Sequence, residues 1–126
     1  MTTGRNRSID ASREAFVAAT AGLLRDFGPA REPMPVEGGH VVLVDGSGTP
    51  RAVRRTTQVD IVPFHAVDAA FAWDEGEGER TLADWRDGHR RYWMRQGAHE
   101  GFTFAETLEV VLERFRVVWP PEIADR

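Results

Sequence analysis

Residues 40–62 constrain the fold most. His40–Val44 is a short apolar run, Asp45-Gly46-Ser47-Gly48 is a turn signal, and the chain alternates from Arg51 to Val62. Alternation of period two is the mark of a strand with one buried face, and a glycine-bearing turn between two such runs makes a β-hairpin. Val53, Thr57, Val59 and Ile61 would form the inward face, and Arg54, Thr56, Gln58 and Asp60 the outward one. The turn lacks the G-x-x-x-x-G-K-[ST] pattern of a phosphate cradle and joins two strands. A third strand is predicted over Glu109–Trp119, where Val111, Phe115, Val117 and Trp119 alternate with Arg114 and Arg116. Leu112 and Glu113 interrupt that alternation, and Pro120-Pro121 ends it.

A second organising stretch runs from Trp73 to Trp93. Four acids, Asp74, Glu75, Glu77 and Glu79, are interleaved with Gly76 and Gly78. Thr81 then reads as a helix N-cap with Asp84 three residues on. Leu82, Trp85, His89 and Trp93 recur at steps of three and four, giving one aromatic face. This helix should fade after Arg95 into Gln96-Gly97. A short helix over Ala66–Trp73 would precede the acidic loop, carrying Val67, Phe71 and Ala70 inward, with His65 helping to cap it. His99–Phe104 reads as a loop anchored by Phe102 and Phe104.

Near the N-terminus, residues 1–9 are polar and read as disordered. Phe16, Thr20, Leu23 and Phe27 then share one stripe, which predicts a single helix over 10–27 stopped by Gly28-Pro29. Residues 29–39 hold three prolines and two glycines and read as a connector. Three strands and two or three helices in mixed order make an α+β fold. Residues 10–120 form a single domain on this reading, and 121–126 a C-terminal tail.

Composition excludes several chemistries. The chain has 126 residues and no cysteine, so disulfides, zinc ribbons and thiol nucleophiles are absent. All sixteen basic residues are arginine, so no lysine can serve as nucleophile or base. A net charge of −4 argues against a general polyanion binder. The N-terminus has no signal-peptide core and no apolar run is long enough to span a bilayer, which predicts a cytoplasmic protein with no membrane partner. His40, His65, His89 and His99 have no metal-ligand spacing, so no metal and no cofactor is expected. The serines sit in no G-x-S-x-G elbow. Glu75, Glu77 and Glu79 are the best acid/base candidates, because crowded carboxylates repel and one can hold a proton. Arg86, Arg90, Arg91 and Arg95, interleaved with Trp85, Tyr92 and Trp93, would suit a stacked base and a phosphate. A solvated arginine face on an amphipathic helix explains the same pattern.

The run V-P-F-H-A-V-D-A-A-F-A-W-D-E-G-E-G-E-R-T-L-A-D-W-R-D-G-H, followed by V-V-L-E-R-F-R-V-V, resembles the ASCH domain family of the PUA-like superfamily, over about residues 40–119. The resemblance implies a small PUA-like β-barrel of mixed, mainly antiparallel strands flanked by two or three helices, with a cleft for RNA or a modified nucleoside. Some family members are amidohydrolases that deacylate N4-acetylcytidine, and a ribonucleolytic activity is also known. The amidohydrolases use a lysine and a threonine from a G-x-K-x-x-T motif and a glutamate from an E-G-E-G loop. Carried over, the threonine falls on Thr20 and the glutamate on Glu77, the catalytic candidates, while the lysine position holds Val17. The family's N-terminal region is shortened or rearranged here. Glu75, Trp85, Arg86 and His89 are the ligand-binding candidates beside them. The resemblance also makes A-T-A-G-L-L a strand after a helix, against the continuous helix that periodicity favours. The expected function is therefore RNA or nucleoside binding with weakened or absent catalysis. The alternatives are an amidohydrolase acting on acylated cytidine through Thr20 and Glu77, or a non-catalytic interaction module, with a homodimer covering its exposed side.

Overall fold

In the computed structural model, which describes residues 6–8 (as backbone), 19–76 and 79–122, the hairpin is the middle of a five-stranded sheet. The strands are β1 (Asn6–Ser8), β2 (Ala19–Leu23), β3 (His40–Val44), β4 (Pro50–Pro63) and β5 (Glu109–Trp119), in the order β1-β3-β4-β5-β2. All pairings are antiparallel except β1 with β3, and the four antiparallel strands curl into a half-barrel. Two α-helices are described, α1 (Ala69–Glu75) and α2 (Leu82–Glu100), with 3-10 turns at Leu24–Asp26 and Phe64–Ala66. The α+β barrel-like architecture predicted above is the one observed.

Turn chemistry closes the β3–β4 hairpin. The Asp45 carboxylate accepts from the Ser47 hydroxyl (2.7 Å), the Ser47 and Thr49 amides (2.9 and 3.1 Å) and Arg51 Nε (2.7 Å), while Gly48 takes φ +84°. The Ser47 hydroxyl first, then Arg51 and the Thr49 amide, hold this carboxyl well below the usual carboxylate range.

The inward face of β4 is not the one its alternation predicts. Ala52, Arg54 and Thr56 are buried, whereas Ile61 is 45% exposed. The register with β5 shifts between Val53 and Arg54 and again between Thr56 and Gln58. The first shift leaves its extra residue, Val118, in β5, and the second leaves Thr57 in β4, so β4 reverses its facing once, after Thr56. Before that point β4 turns Arg54 and Thr56 onto a buried face of the sheet. They are held there by β5: Thr56 Oγ1 donates to Glu113 Oε2 at 2.6 Å, and Arg54 Nη2 lies 3.5 Å from Glu113 Oε1. The Arg54 guanidinium also covers the Phe115 ring at 4.3 Å. A buried charge is tolerable only when paired in this way.

The interrupted alternation of β5 has a related cause. Val111, Glu113, Phe115 and Val117 are buried on one face, and Val110 and Leu112 are buried on the other, against the helices. Both faces are covered along the first half of the strand, so a single-face pattern cannot hold there. Trp119, expected inward, is 45% exposed.

The helix over 10–27 is corrected where it is described. Ala19–Leu23 is a strand on the free edge of β5, with Thr20 opposite Glu113 and Gly22 opposite Val111. Residues 10–18 lie outside the described residues. Thr20 and Gly22 weaken a helix that Ala19, Ala21 and Leu23 would favour, and the unpaired edge of β5 decides the matter by satisfying the segment's backbone groups. Ala19 and Leu23 are fully buried against the helices. β1 lies in the stretch read as disordered, and its three residues pair with Val42, Leu43 and Val44.

The helices pack on the sheet face that carries Val110, Leu112, Ala19 and Leu23, through Phe64, Phe71, Trp85 and Trp93. Phe64 meets Trp85, Trp93 and Phe104 at ring separations of 5.7, 5.9 and 5.0 Å. α1 begins later than predicted, because Asp68, and not His65, caps it by accepting from the Phe71 amide at 2.9 Å. Val67 and Phe71 point inward as expected, with Ala72 in place of Ala70. α2 starts at the predicted cap, where the Thr81 hydroxyl accepts from Asp84 N at 3.1 Å. It then runs through Gln96-Gly97 to Glu100, beyond the predicted fade.

Candidate functional site

The acidic loop and the aromatic helix face meet at the end of α1. Glu75 is its last residue and is only 4% exposed. The left-handed Gly76 (φ +74°) then turns the chain away, so the carboxylate stays against α2. There the Trp85 indole N–H donates to Glu75 Oε1. His89, one turn further along α2, stacks on Trp85 with ring centroids 4.0 Å apart and planes 20° apart. Its Nδ1 lies 2.9 Å from the Trp85 carbonyl oxygen, and its Nε2 lies 3.7 Å from Glu75 Oε1. A carbonyl only accepts, so Nδ1 carries a hydrogen, and Nε2 of the neutral ring would turn a lone pair toward the carboxylate. At 3.7 Å the two groups are a close polar pair without a direct hydrogen bond.

These groups border a cleft of about 540 Å³ between α2 and the edge strand β2. Thr20, Glu75, Trp85 and His89, four of the six candidates, line it together. Arg91, Tyr92 and Arg95 line it as well, with Tyr92 59% exposed and the Arg95 guanidinium 5.9 Å from its ring centre. Arg86 does not line this cleft: its Nη2 donates to the carbonyls of His65 (3.0 Å) and Val67 (3.3 Å), tying α2 to the 3-10 turn. Arg90 is likewise occupied, paired with Glu106 and Asp87 at 3.1 Å each. The basic side of α2 is therefore split: Arg86 and Arg90 brace the fold, and Arg91 and Arg95 face the cleft. Glu77 lies outside the described residues. On its C-terminal side the loop is pinned by Arg80, whose Nε donates to the Trp73 carbonyl (3.0 Å) and whose guanidinium covers the Trp73 ring at 4.5 Å. Among the described residues, no group of three histidines or acids could hold a metal ion. No helix of the described residues is long and apolar enough to cross a membrane.

Glu113 is the polar residue that sequence reasoning did not assign to a site. It sits opposite Thr20, is buried, and borders a second cavity beside the cleft. Its trace in the sequence is the carboxylate that breaks the V-V-L-E-R-F alternation.

Trp85→Phe separates the hydrogen bond to Glu75 from the packing of the ring. It leaves a buried carboxylate short of a donor, so we expect a loss of about 1–3 kcal/mol in chemical denaturation. A change below about 0.5 kcal/mol would mean that water replaces the indole N–H.

The chain matches the sequence model of the ASCH domain over residues 13–119. Among solved structures it is similar to the ASCH domain from Lactobacillus crispatus JV V101, with a TM-score of 0.74 and 28% identity, covering 92% of this chain and 70% of that one. It is also similar to protein EF3133 from Enterococcus faecalis V583, with a TM-score of 0.70 and 30% identity, covering 83% of this chain and 63% of that one. No curated protein matches it. With the family's sequence model matching most of its length, and its curled sheet and two helices shared with a solved ASCH domain, the chain belongs to the ASCH domain family.

Proposed function

We propose that this ASCH domain binds RNA or a modified nucleoside in the cleft beside the acidic loop, with catalysis weakened or absent. The observation that carries the reading is the composition of the cleft wall. Within one cavity it combines flat aromatic rings (Tyr92, and His89 backed by the buried Trp85), a buried carboxylate (Glu75), a hydroxyl (Thr20) and two arginines at its rim. Aromatic faces take a base by stacking, carboxylates and hydroxyls read its edge, and arginines attract phosphate. The weakened catalysis follows from Val17 at the lysine position in a chain with no lysine. A threonine hydroxyl needs a base or a field to become nucleophilic.

Titration calorimetry at low salt with cytidine, N4-acetylcytidine and short single-stranded RNA tests this reading. Saturable binding is expected, weakened about tenfold by Tyr92→Ala, in keeping with the worth of one base–aromatic stack. Tyr92 is exposed, so the substitution should leave the melting temperature within a few degrees. No saturation with any of the three would retire the proposal.

The position of Thr20 on a strand, in the cleft that also holds Glu75, favours a second reading, in which the domain is an amidohydrolase using Thr20 and Glu77. Release of acetate from N4-acetylcytidine, lost in Thr20→Val, would replace the binding-only reading with this one.

A further inference from the structure

The cleft continues past Tyr92. A second cavity of about 310 Å³ shares Thr20 and Ala21 of β2, and Tyr92 and Trp93 of α2, with the first. The two are chambers of one trough that runs along the edge strand. Each alone has the volume of a small-molecule site, so a single nucleoside would leave one of them empty.

The chambers differ in chemistry. Arg91 and Arg95 line the first only, and no arginine lines the second. The second is walled by Phe27, Tyr92 and Trp93, and two of its three carboxylates, Glu113 and Asp26, are held in place. Glu113 is clamped by Thr56 and Arg54, and Asp26 accepts from Gln96 Nε2 at 2.9 and 3.1 Å. Such a chamber disfavours a phosphate by like charge and suits an uncharged base, whose ring meets aromatic walls and whose N–H groups meet carboxylate oxygens. Arg95 lies over Tyr92, the side chain common to both chambers.

Resting on the nucleic-acid reading above, we infer that the ligand is a dinucleotide step of single-stranded nucleic acid and not a free nucleoside. One base occupies the chamber of Trp85 and His89, the phosphodiester crosses Tyr92 beside Arg95, and the second base enters the chamber bordered by Glu113.

The test compares cytidine, cytidine 3′-monophosphate and the cytidine ribodinucleotide by quenching of tryptophan fluorescence, with the deoxyribodinucleotide alongside to separate RNA from DNA. The dinucleotide should bind about tenfold more tightly than the monophosphate, the gain expected of one further stacked base. Gln96→Trp narrows the second chamber alone and should remove the difference between these two ligands; Glu32→Trp does the same from the exposed opposite wall should the first variant fail to fold. Equal affinity of dinucleotide and monophosphate would overturn the two-chamber assignment and leave the binding function standing. A tenfold difference that persists in both variants would also overturn it. Binding of none of the ligands overturns the assignment together with the function it rests on.

Discussion

Replacing Arg54 with leucine should lower folding stability by about 3–5 kcal/mol, the usual cost of removing one partner from a buried ion pair. Arg54 is fully buried, and Glu113 is 3% exposed. Leucine leaves the Glu113 charge inside the curled sheet with Thr56 still donating to it but without the guanidinium nearby. It also removes the flat surface that packs on Phe115. At roughly 3–5 °C per kcal/mol for a chain of this size, the melting temperature should fall by about 10–20 °C. The double variant Arg54→Leu with Glu113→Leu should recover much of the loss, because two apolar side chains no longer carry the desolvation cost. Urea denaturation of the two variants decides the matter. A single substitution costing less than about 1 kcal/mol would show that water reaches this pair.

The next largest effect is expected at Gly97. It lies inside α2, where alanine ordinarily gains up to about 1 kcal/mol over glycine. A Cβ here would stand 2.3 Å from the Phe102 carbonyl oxygen, and that atom is backbone. Making room means moving the segment that carries Phe102 and Phe104 onto the core, and straining the bonds from the Gly101 and Phe102 amides to the Gly97 carbonyl (2.8 and 3.1 Å). Gly97→Val, which brings the clash with a smaller gain in helix propensity than alanine, should cost about 3 kcal/mol. Gly88 provides the contrast in the same helix. A Cβ there meets nothing within 4 Å, so Gly88→Ala should stabilise by up to about 1 kcal/mol. Thermal melts of the two variants should move in opposite directions. If both fall, helix flexibility and not the carbonyl contact explains Gly97.

The same two places mark the limit of reading this chain one element at a time. Gly97 looked like the end of a helix because glycine usually ends one, and nothing within the helix reveals a carbonyl approaching from the following loop. Arg54 looked outward because a charged residue on an alternating strand normally does. Its partner lies fifty-nine positions later in the chain. The helix predicted through Thr20 failed for a comparable reason. Its stripe was real, but the free edge of β5 offers the segment a ladder that only the assembled sheet contains. The resemblance to the ASCH family anticipated that strand where periodicity did not.

At the site, the N-cap of α2 and its aromatic face were legible, because capping and helical period depend on residues three and four apart. The crowding of acids before Thr81 was legible too, and among the described ones Glu75 turns inward to meet Trp85 and His89. The division of the arginines was not. Arg86 and Arg91 are near neighbours in sequence, yet one reaches the carbonyls of the 3-10 turn and the other the cleft.

The sequence by itself determined the elements governed by short-range chemistry: the β3–β4 hairpin and its Asp45 turn, the Thr81 start of α2, the stripe of Trp85, His89 and Trp93, and the family resemblance. Tertiary structure decided the face β4 buries, the conformation of residues 19–23, and the meeting of Thr20 with Glu75 and His89 in one trough. Those outcomes rest on partners far apart in the chain. A bulge at Thr57 reverses the facing of β4, and an unpaired sheet edge captures a segment that periodicity alone would make helical.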